Sequence, residues 1–165
     1  MIQKKVCMLG AFAVGKTSLV ERYVKSIFSE KYQTTVGVKI DKREVLVGAT
    51  TVKLVLWDLH GEDRFQAVQA SYLRGASGVL LVVDPTRPST LGVARTLLER
   101  STGVIGTVPT LVLLNKCDLS TEWAATPAEL EGLAPADCPR IYTSAKSGQG
   151  VEEAFARLAE QMLAP

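Results

Sequence analysis

The sequence contains one histidine, His60, and three cysteines, Cys7, Cys117 and Cys138. An odd number of thiols without C-x-x-C spacing argues against a disulfide framework, and with a single histidine it argues against a zinc site. The thiols read as reduced groups of a cytoplasmic protein. Charge of one sign is also scarce. Nineteen Lys+Arg against seventeen Asp+Glu leave +2, which gives no footprint for nucleic acid or an anionic membrane. No apolar run approaches the ~20 residues of a membrane-spanning helix. The start, MIQKK followed by VCMLGAFAV, imitates a secretory signal. It flows directly into Gly15-Lys16-Thr17-Ser18 without an evident cleavage site, so it reads as a buried strand and a loop.

What remains is a chain of 165 residues, 47% hydrophobic, long enough to bury a full core as one domain over 1–165. Four short apolar runs end alike: Val6–Leu9 at Gly10, Val52–Trp57 at Asp58, Val79–Val83 at Asp84 and Leu111–Leu114 at Asn115. Near-continuous Val and Leu suit a parallel sheet covered on both faces. Lys39–Val47 and Thr51–Trp57, joined through Gly48-Ala49, predict an antiparallel hairpin at a sheet edge. Helical patterns lie between the runs. In the clearest, Val151, Ala154, Phe155, Leu158, Ala159 and Met162 form one stripe. Ser89–Arg100 predicts a second helix with Leu91, Ala94 and Leu98 facing inward. Ser120–Pro139, with its three prolines, predicts a loop with one short helix. The alternation implies a doubly wound α/β domain, which binds ligands beyond the carboxyl ends of its strands.

Those ends carry the motifs. Gly10-Ala11-Phe12-Ala13-Val14-Gly15-Lys16-Thr17 matches G-x-x-x-x-G-K-[ST] between a predicted strand and helix. Glycine lets backbone N–H groups turn around phosphate oxygens, and the helix N-terminus adds partial positive charge. Lys16 would reach the β- and γ-phosphates, and the Thr17 hydroxyl would take a place on Mg²⁺. The phosphate loop alone does not choose a base; Asn115-Lys116-Cys117-Asp118 does. The Asp118 carboxylate can accept from both N1–H and the 2-amino group of guanine, a donor pair adenine lacks. Thr143-Ser144-Ala145-Lys146 follows a further strand and can offer the Ala145 N–H to the guanine O6.

GAFAVGKT, WDLHGED, NKCD and TSAK, in this order and spacing, resemble the guanine-nucleotide motifs of the Ras superfamily of small GTPases. GEDRF followed by SYLRGASGVLLVVDPT is similar to its Rab branch, and the resemblance covers residues 4–163. It implies a P-loop NTPase fold: a mostly parallel six-stranded sheet with one antiparallel edge strand and helices on both faces. It also implies a switch that binds GTP and GDP with Mg²⁺ and hydrolyses GTP. The nucleotide would be held by Ala13, Val14, Gly15, Lys16, Thr17, Ser18, Phe28, Thr35, Gly61, Asn115, Lys116, Asp118, Ser144, Ala145 and Lys146. Phe28 would pack on the guanine. Thr17, Thr35 and Asp58 would hold the metal, Thr35 only in the GTP state and Asp58 through a water. Gly61, Lys16 and Glu62 would carry catalysis. Effectors, exchange factors and GTPase-activating proteins would read residues 27–37 and 59–74, including Trp57 and Phe65, on a monomer.

WDLHGEDRF, which by composition alone could be a catalytic centre, a metal site or a solvated turn, thus resembles the second switch. Here the sequence departs from its family. Glu62 stands where a glutamine normally orients the attacking water. A carboxylate can accept from water but cannot donate to the transferring phosphoryl group, and it is repelled by the γ-phosphate. Slow hydrolysis is expected; the rival reading is a nucleotide-held interaction module with negligible hydrolysis. NKCD and TSAK disfavour a P-loop kinase or ATPase. His60 replaces a small residue and reads as a solvated side chain rather than an acid/base group. Asp63 and Arg64 belong to the same charged surface. Phe12 replaces a small residue near the γ-phosphate and would crowd the switch glutamate, Glu62, or an incoming arginine finger. The sequence ends in Gln161-Met162-Leu163-Ala164-Pro165, without the polar, cysteine-ended tail usual for Rab proteins. A shortened or naturally unlipidated chain, without a membrane anchor as written, is therefore expected.

Overall fold

The computed structural model describes residues 1–26, 28, 38–59 and 70–164. Its strands in chain order are β1 (Ile2–Leu9), β2 (Val38–Val47), β3 (Thr50–Leu59), β4 (Gly78–Val83), β5 (Thr110–Leu114) and β6 (Arg140–Tyr142). Across the sheet they run β2-β3-β1-β4-β5-β6. Every pairing is parallel except β2 with β3, the expected edge hairpin turning at Gly48-Ala49. The helices are α1 (Lys16–Lys25), α2 (Ala70–Leu73), α3 (Ser89–Ile105), α4 (Pro127–Glu131) and α5 (Val151–Leu163).

Period-two alternation along the strands divides the core in two. Val6, Met8, Leu54, Leu56, Leu80, Val82, Leu111 and Leu113 share one buried cluster with Leu19, Val20 and Tyr23 of α1 and Phe155 and Leu158 of α5. Cys7, Leu9, Val79, Leu81, Val83, Val112 and Leu114 share the other with Leu73, Leu91 and Ala94. β4 is buried along its whole length, which is why its sequence is an unbroken apolar run. All six stripe positions of α5 are buried, and Phe155 stacks on Tyr23 with ring centroids 3.9 Å apart. Each fully buried Leu, Val or Phe contributes roughly 1.5–3 kcal/mol relative to exposure.

β1 starts four residues before the predicted Val6, because Gln3, Lys4 and Lys5 pair with Lys53, Leu54 and Val55 on β3. A backbone ladder tolerates polar side chains where no helix covers the sheet. Lys5 lies over the Trp57 ring at 3.7 Å and donates to the Arg74 carbonyl. α3 continues past Arg100 to Ile105 and stops at Gly106, whose φ of 76° only glycine adopts readily. Leu97 is the buried leucine of that turn, and Leu98 is half-buried against the same cluster. Pro127, read as a loop marker, is the first residue of α4, capped by the Thr126 hydroxyl accepting from Glu129 N–H. β1 sits where the chain reverses direction across the sheet, with β3 on one side and β4 on the other. The crevice at its carboxyl end is the expected ligand site of such a fold.

Candidate nucleotide site

That crevice begins at Gly10, where the chain leaves β1. It passes so close to β4 that a Cβ on Gly10 would lie 2.4 Å from the Val82 carbonyl oxygen. At Gly15 the backbone is left-handed, φ 104°, and a Cβ would lie 2.3 Å from Asn115 Nδ2. The two fixed glycines of the motif are therefore places where other chain segments touch the loop. Gly15 also caps α1, whose first turn has no acidic side chain. The positive end of that helix is not neutralised by its own sequence.

The loop's carbonyls are taken up one after another. Lys16, 6% exposed, donates from Nζ to the carbonyls of Gly10 and Ala11, each at 3.0 Å. Arg87 Nη2 donates to the Phe12 carbonyl at 2.9 Å, Lys116 Nζ to Ala13 at 3.3 Å, and Asn115 Nδ2 to Val14 at 2.8 Å. The Gly15 carbonyl accepts from Leu19 N–H, the first bond of α1. In a trans peptide the carbonyl of one residue and the N–H of the next point in opposite directions. With the Phe12, Ala13 and Val14 carbonyls fixed on side chains behind the loop, the N–H groups of Ala13, Val14 and Gly15 point the other way, towards one side. Successive inward N–H groups beside a helix N-terminus form an anion cradle.

Behind the loop stands Asp84, fully buried at the end of β4. Its Oδ2 meets Lys116 Nζ at 2.8 Å and Arg87 Nε at 3.2 Å, and its Oδ1 accepts from the Thr86 N–H and hydroxyl. Burial alone would raise its pKa, but bonds from Lys116, Thr86 and Arg87 outweigh that and hold it below the ordinary carboxylate value. Neither Asp84 nor Arg87 was assigned a role from the sequence. The only signal there was an apolar strand run ending in a carboxylate, the pattern that Asp58 also shows.

The second and third motifs are locked to each other. The Thr143 hydroxyl donates to Asn115 Oδ1 at 3.1 Å, Cys117 N–H to the Thr143 carbonyl, and Ser144 Oγ to Asp118 Oδ1 at 2.8 Å. The Ser144 bond orients an otherwise exposed carboxylate. The Lys116 carbonyl accepts from Trp123 Nε1, and Trp123 stacks on Tyr142. Lys116 and Ala13 both have left-handed backbones, φ 61° and 60°, conformations that cost L-residues about 1–2 kcal/mol and cluster at functional sites. The bond between them ties one strained position to the other. Ala145 is buried and Lys146 exposed in the loop before α5.

Thr17 and Asp58 are also brought together: the hydroxyl donates to Asp58 Oδ2 at 2.5 Å, and Asp58 is fully buried. One buried carboxylate and one hydroxyl are hard oxygen donors, suited to a cation that takes its remaining ligands from phosphate and water. Among the described residues no group of three or more His, Cys, Asp or Glu could hold a metal ion by itself. Ser18 is half-buried in the first turn of α1. Phe28 is half-buried against the core cluster on the α1 side. Thr35, His60, Gly61, Glu62 and Phe65 lie outside the described residues. No helix among the described residues is long and apolar enough to cross a membrane.

Comparison with known proteins agrees with this geometry. A family model described as Ras family matches residues 5–164. The chain is 37% identical to Ras-related protein RABA5c of Arabidopsis thaliana over 153 residues, covering 92% of this chain and 72% of that one. It is 37% identical to Ras-related protein Rab-25 of Oryctolagus cuniculus over 167 residues, 97% of this chain and 76% of the relative. Ras-related protein Rab-21 of Geodia cydonium is 32% identical over 164 residues, 98% and 72%. The chain belongs to the Ras family, is similar to its Rab-related members, and is a small GTPase: a molecular switch that binds guanine nucleotide.

Proposed function

We propose that residues 10–18 hold the phosphates of GTP and GDP while Asn115, Lys116, Asp118 and the 143–146 loop hold the guanine, and that GTP is hydrolysed slowly. What supports this most is the run of carbonyls at Phe12, Ala13 and Val14 fixed behind the loop, which directs the following N–H groups to one side. Lys16, anchored on the Gly10 and Ala11 carbonyls, would neutralise charge developing on the transferring phosphoryl group. Asp118, oriented by Ser144, accepts from the guanine N1–H and 2-amino group. Thr17 and Asp58, with Thr35, would hold Mg²⁺, which would supply positive charge to offset that developing on the phosphates. Glu62 beside Gly61 orients the attacking water as an acceptor only, so turnover is slow.

The whole switch resides in one domain and works in the reducing cytoplasm, in keeping with three free thiols. Residues 27–37 and 59–74 form the surface read by effectors, exchange factors and activating proteins. At its described margin half-buried Trp57 lies 6.3 Å from Tyr72. Competition for the loaded site tests the base assignment. GDP is expected to displace a fluorescent GDP analogue at near-equal concentration, IDP to need a large excess because it lacks the 2-amino group, and ADP to fail. ADP competing as well as IDP would remove Asp118 from the base pocket.

A further inference from the structure

Two consecutive carbonyls of the phosphate loop are held by cations that share one counter-ion. From this we infer that Asp84, buried behind the loop, is a positioning residue that fixes the N–H cradle through Arg87 and Lys116. The inference rests on the nucleotide reading above and deepens it.

Arg87 and Lys116 come from different segments, the turn after β4 and the loop after β5, and both reach the same oxygen, Asp84 Oδ2. Each then spends another donor on the loop, Arg87 on Phe12 and Lys116 on Ala13. Without the carboxylate, two like charges would face each other in a partly desolvated site, which is strongly unfavourable. At least one would swing to solvent, as the 41% exposure of the Arg87 side chain readily allows. The Phe12 or Ala13 carbonyl would then lose its anchor, and the peptide plane carrying the N–H of Ala13 or Val14 could rotate away from phosphate. The described bonds of the Asp84 carboxylate go to Lys116, Arg87 and Thr86.

This role predicts an effect opposite in sign to that of simple charge. A buried carboxylate near a polyphosphate repels it, so neutralising Asp84 would slow nucleotide release if its field alone mattered. Positioning predicts faster release.

The test uses the whole chain loaded with a fluorescent GDP analogue and Mg²⁺, chased with unlabelled GDP. Asp84→Asn keeps the side-chain shape and is expected to speed release about tenfold or more, since it breaks bonds between charged groups. Arg87→Ala is expected to speed it about threefold, and the double variant to be within about twofold of Asp84→Asn, because all act through one carboxylate. The ³¹P resonance of the bound β-phosphate should move in both single variants, as a merely less stable fold would not make it. Release at the parental rate or slower, rates that multiply in the double variant, or unmoved ³¹P resonances would overturn the inference. If Asp84→Asn does not fold, Arg87→Ala decides alone by the same two readouts. A parent chain that holds no GDP would instead contradict the nucleotide reading itself.

Discussion

Lys16 and Lys116 grip the same loop at different carbonyls, and their surroundings differ. Lys16 is 6% exposed and donates to two neutral carbonyls, at Gly10 and Ala11. Lys116 is a third exposed, donates to one carbonyl, at Ala13, and sits 2.8 Å from a buried carboxylate. On the reading proposed above, Lys16 serves the phosphates, while Lys116, tied to Asp84, holds the loop in shape.

The sharpest way to break this comparison is to remove each charge in turn. Lys16→Met is expected to weaken GDP binding by on the order of a hundredfold or more, as for loss of a desolvated charged contact, when affinity is measured by equilibrium fluorescence titration. Lys116→Met is expected to raise the GDP release rate only about tenfold, because it loses an anchor rather than a phosphate contact. Equal effects would mean that both lysines serve the phosphates alike.

Gly15→Ala sharpens the same picture from the backbone. A Cβ there would sit 2.3 Å from the Asn115 amide, at a φ of 104°. It must displace either the amide that holds Val14 or the N-terminus of α1. We expect a loss of about 2–3 kcal/mol in urea unfolding of the GDP-loaded protein, a magnitude set by strain plus a broken buried bond. An unchanged midpoint would show that the loop adapts freely.

The smallest expected effect concerns pH. Asp84 is held below the ordinary carboxylate value of 3.8, burial being outweighed by Lys116, Thr86 and Arg87. A depressed folded-state pKa means that its contribution is fully present above the ordinary value and is lost only as pH falls through the lowered one. The ratio of GDP release rates between Asp84→Asn and the parent should therefore be the same at about pH 8 and about pH 5. A ratio that collapses by about pH 5 would show that the carboxylate is protonated there and does not anchor the two cations.

Much of this was legible in the sequence because buried strands write themselves as apolar runs, and because ligand-binding residues follow directly on those runs. Gly10, Asp58 and Asn115 were readable at strand ends, and α5 from its stripe. The antiparallel edge followed from the Gly48-Ala49 turn. Asp84 stood in the same position and yet carried no meaning alone, since its role exists only through Arg87 and Lys116. Arg87 has no local signature, because its contact with Phe12 spans 75 residues of chain. The start of β1 was missed for a related reason. Lys4 and Lys5 are placed by backbone pairing with β3, not by burial. The Phe12 carbonyl, which accepts from Arg87, carries no sequence signature at all.

The proposed guanine-nucleotide site turns over, slowly, through Glu62. Single-turnover hydrolysis of pre-bound GTP with Mg²⁺, comparing the parent with Glu62→Gln and Glu62→Ala, tests it most directly. Measurable conversion to GDP is expected in the parent, faster conversion in Glu62→Gln, and near-complete loss in Glu62→Ala. Equal inertness of all three with GTP still tightly held would contradict it.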